Sequence, residues 1–453
     1  MLTTEANSAV IYSVFVRQHS AEGTFDGVTS DLARIAALGA THIWLLPIHP
    51  IGVKNRKHSD ASLGCPYAIR DYRTVNPEYG SLEDFQRLIK TAHEHDLKVL
   101  IDCVYNHTSP DSVLVKEHPD WFHKNDKGEI ATRFSEWWDV VDLAYYKDGG
   151  QRNEPLWEYL VESLIYWISL GVDGFRCDVA SVVPIDFWME AREGIRSKFP
   201  ERSTLWLAES TGPSMIRSCR RMGIPMASEA QLHQAFELCY QYNIFKVAQR
   251  CSKGLEEMTT LLDVLRLEEA SEQPEFVKLR FVDNHDQPRI YDIARSTESA
   301  NAWLSFTAFI RGAFLVHHGT ESFEDRQSSL FDREPVVWKG YPNTELTTQL
   351  CAVKKLPQIQ KGSQMFLSAS PAVCMARVSD NANTVFGVFD VEGRSTGQQE
   401  VRGVPDGSYR NLIGVGDIEI AGGFMSLENL KYSAAIFECA AHEPLIEMKS
   451  KFE

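Results

Sequence analysis

The sequence predicts an α/β protein: a (β/α)8 TIM barrel with a small domain inserted after its third strand and an all-β domain at its C-terminal end. Three observations predict it. Short, continuously apolar runs alternate with amphipathic helical stripes between residues 11 and 317, the pattern of parallel strands covered by helices. About eight such runs over roughly 350 residues suit a closed barrel, whose polar strand ends share one face. After about Lys361 the helical period gives way to short alternating strands, such as Val373–Val378 and Thr384–Val391, the pattern of a β-sandwich.

The elements follow in order. Ile11-Tyr12-Ser13-Val14-Phe15 is the first apolar run. Thr29 or Ser30 caps a helix with Leu32, Ile35, Ala36 and Leu38 on one face, and Gly39 is placed to end it. His42–Pro47 is the second run. Ser81-Leu82-Glu83-Asp84 resembles a capping box opening a helix whose stripe is Leu82, Phe85, Leu88, Ile89 and Ala92. Lys98–Asp102 is the third run. Asn153 and Pro155 start the next long helix, which Gly171 closes. Further strands are expected at Gly174–Asp178, Leu205–Glu209, Lys278–Val282 and Ala313–His317. Between His107 and Gly150 the chain is rich in Pro, Asp, His and Trp and shows no helical stripe. The expected domains are therefore 1–106 with 151–360 (barrel), 107–150 (insertion) and 361–453 (β-domain).

Composition narrows the function. The 453 residues carry 46 basic and 62 acidic side chains, a net charge of −16. Such a surface repels phosphate backbones and anionic lipid, so neither nucleic acid nor membrane is an expected partner. The start of the chain shows no basic and apolar leader pattern. The longest apolar stretch, Ala302 to His317, is interrupted by Arg311 and too short to span a bilayer. Nine cysteines without a CxxC pair read as buried free thiols, and a cytoplasmic location is expected.

Three of the runs end on an acid: Asp178, Glu209 and, after Phe281-Val282-Asp283-Asn284-His285, Asp286. Arg176 and Asp178, two apart on a strand, point the same way, so a guanidinium is expected to hold that carboxylate ionised and oriented. Neighbouring strands suit a carboxyl pair about 5–5.5 Å apart, the spacing of a retaining glycosidase, with Asp178 as nucleophile and Glu209 as general acid and base. Apolar neighbours Trp206, Leu207 and Ala208 are expected to raise the pKa of Glu209. Asp286 is a third carboxylate for sugar hydroxyls and for the oxocarbenium-like transition state. His107 and His285 are candidate donors to hydroxyls beside the reacting carbon, and Tyr67 offers a flat face to a sugar ring. Trp121, Phe122, Phe134, Trp137 and Trp138 either line a carbohydrate cleft or form the insertion's own core.

These residues resemble the motifs of glycoside hydrolase family 13, the α-amylase family. Asp102-Cys103-Val104-Tyr105-Asn106-His107 matches its first motif and Gly174-Phe175-Arg176-Cys177-Asp178 its second. Glu209 stands at the third and Asn284-His285-Asp286 at the fourth. The resemblance implies Asp178 as nucleophile, Glu209 as acid/base, Asp286 as transition-state stabiliser, and Arg176, His107, His285 and Tyr67 as the nearest sugar contacts, with Asp102 a structural acid. It implies retaining cleavage or transfer at α-glucosidic bonds, with an α-linked glucan or oligosaccharide as substrate. Hydrolase, glucanotransferase, trehalose-type isomerase and an inactive binding subunit all stay open. The Lys-His pair common in the family is replaced here by Ser181-Val182. Asn106 and Asp142 are its two candidate calcium ligands; two oxygens are too few for a site, so no cofactor is expected to be required.

Overall fold

A computed structural model describes residues 2–57, 62–273, 275–380, 383–393, 396–440 and 445–450. Eight short strands form a closed parallel barrel: β1 (Val10–Val14), β2 (His42–Leu45), β3 (Lys98–Cys103), β4 (Gly174–Cys177), β5 (Leu205–Ala208), β6 (Leu238–Tyr240), β7 (Val277–Arg280) and β8 (Ala313–His317). Each strand pairs with its sequence neighbours, and β8 closes on β1 from Val10↔Phe314 to Ser13↔His317. Nearly every strand residue is buried, because one face fills the barrel and the other meets helices. That two-sided burial is why the runs read as continuously apolar rather than alternating.

Local signals place the helices. Ser81 Oγ accepts from the Asp84 N–H at 3.2 Å and Asp84 Oδ2 accepts from the Ser81 N–H at 2.7 Å, a complete capping box for helix Leu82–Glu94. Its buried stripe is Phe85, Leu88, Ile89 and Ala92. Helix Glu154–Ser169 begins with Pro155 in its first turn, and Gly171 follows it at φ +111°, a left-handed position that favours glycine. The first helical stripe differs from expectation. It breaks into Phe25–Thr29 and Leu32–Ala37, with Thr24 capping the first piece and Thr29 donating back to Phe25 O. The apolar stretch from Ala302 contributes to helix Thr297–Phe309 and to β8, and among the described residues no helix is long and apolar enough to cross a membrane.

The chain leaves the barrel after β3 and folds an excursion whose neck is an antiparallel pair, His107–Thr108 with Val141–Asp142. Beyond β8 lie two antiparallel four-stranded sheets. The first has the order β9 (Ser363–Ser368), β10 (Val373–Asp380), β11 (Asn383–Phe389), β16 (Ala434–Cys439). The second runs β12 (Gln398–Glu400), β15 (Phe424–Ser426), β14 (Asp417–Ala421), β13 (Gly407–Arg410). Strand alternation explains how they stack. Phe386 and Val388 of β11 join Ile418, Ile420 and Met425 between the sheets. Phe389, on the opposite face, packs 5.3 Å from Phe309 and 5.8 Å from Phe306 of a barrel helix. All nine cysteines are free, seven of them buried, so packing rather than disulfides holds the fold.

Candidate active site

The acids sit one residue past their strands, still tied to the ladder. Asp178 N–H donates to Cys103 O (2.9 Å) and Glu209 N–H to Cys177 O (3.0 Å). Register sets Asp102 of β3 level with Arg176 of β4. Gly174 permits this close approach: a Cβ there would lie 2.1 Å from Leu205 O on β5. Polar side chains therefore converge at the C-terminal mouth of the barrel, where barrel enzymes place their chemistry.

Arg176, fully buried, is the hub. Its Nη1 donates to Asp102 Oδ1 (2.8 Å) and Asp178 Oδ1 (2.9 Å), and its Nε donates to the Tyr240 hydroxyl (3.2 Å). Nη2 lies 3.1 Å from Glu209 Oε2, an ion-pair distance without hydrogen-bond geometry. The Trp44, Tyr67 and Tyr240 rings surround the guanidinium at 5.3–5.6 Å, a cation–π cage. Asp178 Oδ1 is thus engaged, while Oδ2 has only His107 Nε2, 3.9 Å away. Glu209 Oε2 accepts from the Val179 N–H at 2.7 Å. Val179 holds φ +36°, a strained value for a β-branched residue, and that backbone aims its N–H at Glu209.

Tyr67 is buried, its hydroxyl donating to Asp102 Oδ2 (3.2 Å) and bonded to His285 Nε2 (2.7 Å), with the two rings stacked at 5.7 Å. His285 Nε2 is also 3.1 Å from Asp286 Oδ2. Contacts therefore link Tyr67, His107, Arg176, Asp178, Glu209, His285 and Asp286 into one cluster, and of the three acids Asp286 is the most exposed.

Asp102, Asp178 and Glu209 share the Arg176 guanidinium, Asp286 stands beside His285, and burial of the group dominates how these acids titrate. Burial, opposed by Arg176 and reinforced by Asp102 and Asp286, pushes Asp178 up to about 7. Burial, opposed by Arg176 and reinforced by Asp178 and Asp286, pushes Glu209 up to about 7 as well. Arg176 therefore does not depress Asp178 as its position suggested, because burial outweighs its pull and its charge is also divided among three acids. The pair titrates jointly near neutrality. The shared proton belongs on Glu209, since Asp178 has the properly directed bond to Arg176. Asp286 is different: burial raises it, but the His285 charge and hydrogen bond outweigh this and hold it below its ordinary value. Burial lowers His107, which is neutral at pH 7.

The insertion supplies one wall. Trp121 and Phe122 are buried in the cluster that is continuous with the barrel core, Trp121 packing 5.8 Å from Tyr159 of helix Glu154–Ser169, whereas Trp138 is exposed and half-buried Trp137 packs 5.6 Å from His107. Only Trp137 of the aromatic group reaches the acid cluster's histidine. Ser181 and Val182 are buried; Val182 packs with Ile216, Cys219, Ile224 and Met226, an apolar patch after β5. The two calcium-ligand candidates face a cation already present in the chain. Arg133 donates from N and Nε to Asp142 Oδ2 (both 2.9 Å) and from Nη2 to Asn106 Oδ1 (3.1 Å).

The catalytic-domain profile of α-amylases matches residues 5–348. The chain belongs to the α-amylase family. Among solved structures, an α-amylase from Lactobacillus plantarum is 37% identical, covering 97% of this chain and 100% of that one, with a TM-score of 0.88. A noncanonic maltogenic α-amylase, AmyB, from Thermotoga neapolitana is 28% identical over 98% of this chain and 99% of that one, TM-score 0.77. Among curated proteins, the α-1,4-glucan:maltose-1-phosphate maltosyltransferase of Pseudomonas aeruginosa is 33% identical over 239 residues, 48% of this chain and 35% of that enzyme. The namesake from Rhodospirillum rubrum is 26% identical over 371 residues, 75% of this chain and 49% of that enzyme. The chain thus spans a third to a half of the length of these two curated relatives.

Within this α-amylase-family site, sequence reasoning missed Tyr240, Trp44 and Arg133. Tyr240 ends β6, only three residues long and without a readable pattern; Trp44 reads as one more apolar strand residue; Arg133 lies in a segment with no period. The joint titration has a testable consequence. A reaction needing one ionised and one protonated member of the Asp178–Glu209 pair should show a bell-shaped kcat/KM centred near pH 7, falling in acid as Asp178 takes a proton and in alkali as Glu209 loses one. With a nitrophenyl glucoside, whose leaving group departs unprotonated, the alkaline limb should disappear. A limb that persists there assigns it to another group.

Proposed function

We propose that the protein is a retaining glycoside hydrolase that cleaves α-glucosidic bonds of neutral maltooligosaccharides and maltodextrins through a covalent glucosyl-enzyme. The observation that carries this is the sharing of Arg176 by Asp178 and Glu209, with Asp286 alongside. Two carboxyls on one guanidinium favour the close spacing, about 5–5.5 Å, that double displacement uses. Asp178 Oδ2 attacks the anomeric carbon while Glu209 protonates the departing oxygen. Glu209, now ionised, then takes a proton from water, which opens the glucosyl ester. Asp286, kept ionised beside His285, faces the positive charge that develops on the sugar ring.

Transfer to a sugar in place of water is the second reading, favoured by the maltosyltransferases among the relatives. The electrostatics support a neutral donor in either case. Four carboxyls around one guanidinium form a negative centre that repels a phosphate leaving group. The free buried thiols support the reducing, cytoplasmic setting expected from sequence.

Product analysis tests this. Incubation with maltoheptaose should release shorter α-anomers with a steady gain of reducing ends, and maltose 1-phosphate should release no phosphate. Longer and shorter glucans without new reducing ends would establish the transferase instead. Sucrose, trehalose and isomaltose, run in parallel, report isomerisation or α-1,6 cleavage.

A further inference from the structure

The neck of the insertion holds the two candidate calcium ligands, Asn106 and Asp142, and its donor set does not fit a cation. Asp142 Oδ2 already accepts two hydrogen bonds from Arg133, and Asn106 Oδ1 accepts a third. Only Asp142 Oδ1 is left, buried and without a hydrogen-bond partner, against the six to eight oxygens that calcium takes. Among the described residues no group of three or more His, Cys, Asp or Glu is placed to hold a metal. A guanidinium bonded to the same carboxylate also repels an incoming cation.

We infer that Arg133 takes the place of a bound cation, clamping the insertion to the barrel and setting the protonation pattern of His107 as a positioning residue. The chain of donors fixes this. Asp142 has no exposed side-chain surface and Asn106 is buried, so both need partners. A guanidinium only donates, so Asn106 must turn Oδ1 toward Arg133. Its amide nitrogen then faces His107 Nδ1 at 3.0 Å and donates to it. Nδ1, as the acceptor of that bond, carries no proton, so the ring proton of His107 sits on Nε2, the nitrogen 3.9 Å from Asp178 Oδ2. Arg133 thereby presents an N–H donor at the reaction centre from the far side of two side chains. The neck pairing itself sets His107 opposite Asp142, so the same clamp fixes the register of the two segments.

The test combines thermal unfolding, histidine NMR and kinetics on wild type, Arg133→Lys and Arg133→Ala. Wild-type Tm should be the same in excess chelator and in millimolar calcium; a fall in chelator that calcium reverses overturns the proposal. With nitrogen-labelled histidine, the His107 signal, assigned with His107→Gln, should show the Nε2–H form in wild type. It should remain largely so in Arg133→Lys and become a mixture of both tautomers in Arg133→Ala. An unchanged pure Nε2–H signal in Arg133→Ala removes the positioning role. On maltoheptaose, Arg133→Ala should lose roughly tenfold to a hundredfold in kcat/KM, the scale for groups that orient a contacting residue. Should Arg133→Ala fail to fold, the wild-type chelator arm and Arg133→Lys still decide. The unfolding and NMR arms hold whatever the substrate proves to be, so a failed reading of the reaction stays distinguishable from a failed clamp.

Discussion

Under the proposed double displacement, Asp178→Asn should lower kcat on maltoheptaose by at least about a thousandfold, because an amide cannot form a glucosyl ester and no neighbouring acid would replace it as nucleophile. The variant should stay folded and, above neutral pH, unfold at a higher temperature than wild type. The sign follows from the direction of the shift. Asp178 and Glu209 titrate near 7 in the folded chain, above the ordinary carboxyl range. The stability they contribute is fully present below pH about 4 and is lost as pH rises through 7, where the folded chain must carry both charges. Removing one charge removes that cost. The gain in Tm should therefore be larger at pH 8 than at pH 5, read by calorimetry on both proteins. An activated fluoro-glucoside followed by peptide mapping should place the label on Asp178. Near-normal turnover in the variant, or a label elsewhere, would refute the assignment.

Arg176→Leu has the largest expected effect on stability. It leaves Asp102, Asp178 and Glu209 buried around an apolar side chain, and breaking one buried pair of this kind costs about 3–5 kcal/mol. Three acids lose their partner at once, against a typical total stability of roughly 5–15 kcal/mol. The variant should unfold well below wild type at pH 8 and recover partly toward pH 5, as the stranded carboxyls take up protons. Arg176→Lys keeps a charge but not the flat, multi-pronged donor set that reaches Asp102, Asp178, Tyr240 and Glu209 together, so it should fall between the two. A Tm that is unaffected by pH in Arg176→Leu would mean the acids are not held by this side chain.

Much of this site was legible in the linear sequence, for identifiable reasons. The three candidate acids follow runs that are apolar on both faces, and a charge that ends such a run stands out. Arg176 and Asp178 share a face by the two-residue period of a strand, and the structure joins them at 2.9 Å. Ser81 and Asp84 announce a helix start because a capping box is a local pattern. Where the signal was weak, the reason is equally physical. β6 is three residues long, too short for a period. The insertion carries no period at all, so the split of its aromatics between Trp121 and Phe122 in a core and Trp137 beside His107 could not be read from spacing.

The sequence by itself determined the barrel, its helical cover, the terminal sandwich and the identity of the acids at the strand ends. These rest on local periodicity and on residue types that neighbours in the chain make conspicuous. Only the tertiary structure decided how charge is distributed among them. One guanidinium divided between Asp102, Asp178 and Glu209, and a second standing between Asn106 and Asp142, depend on barrel closure and on the return of the insertion to its neck. Apart from the Arg176–Asp178 pair, which the strand period announces, those contacts join residues 9 to 74 positions apart. No period encodes them; the folded chain selects them because a buried charge must find its counter-charge among whatever side chains the fold brings within reach.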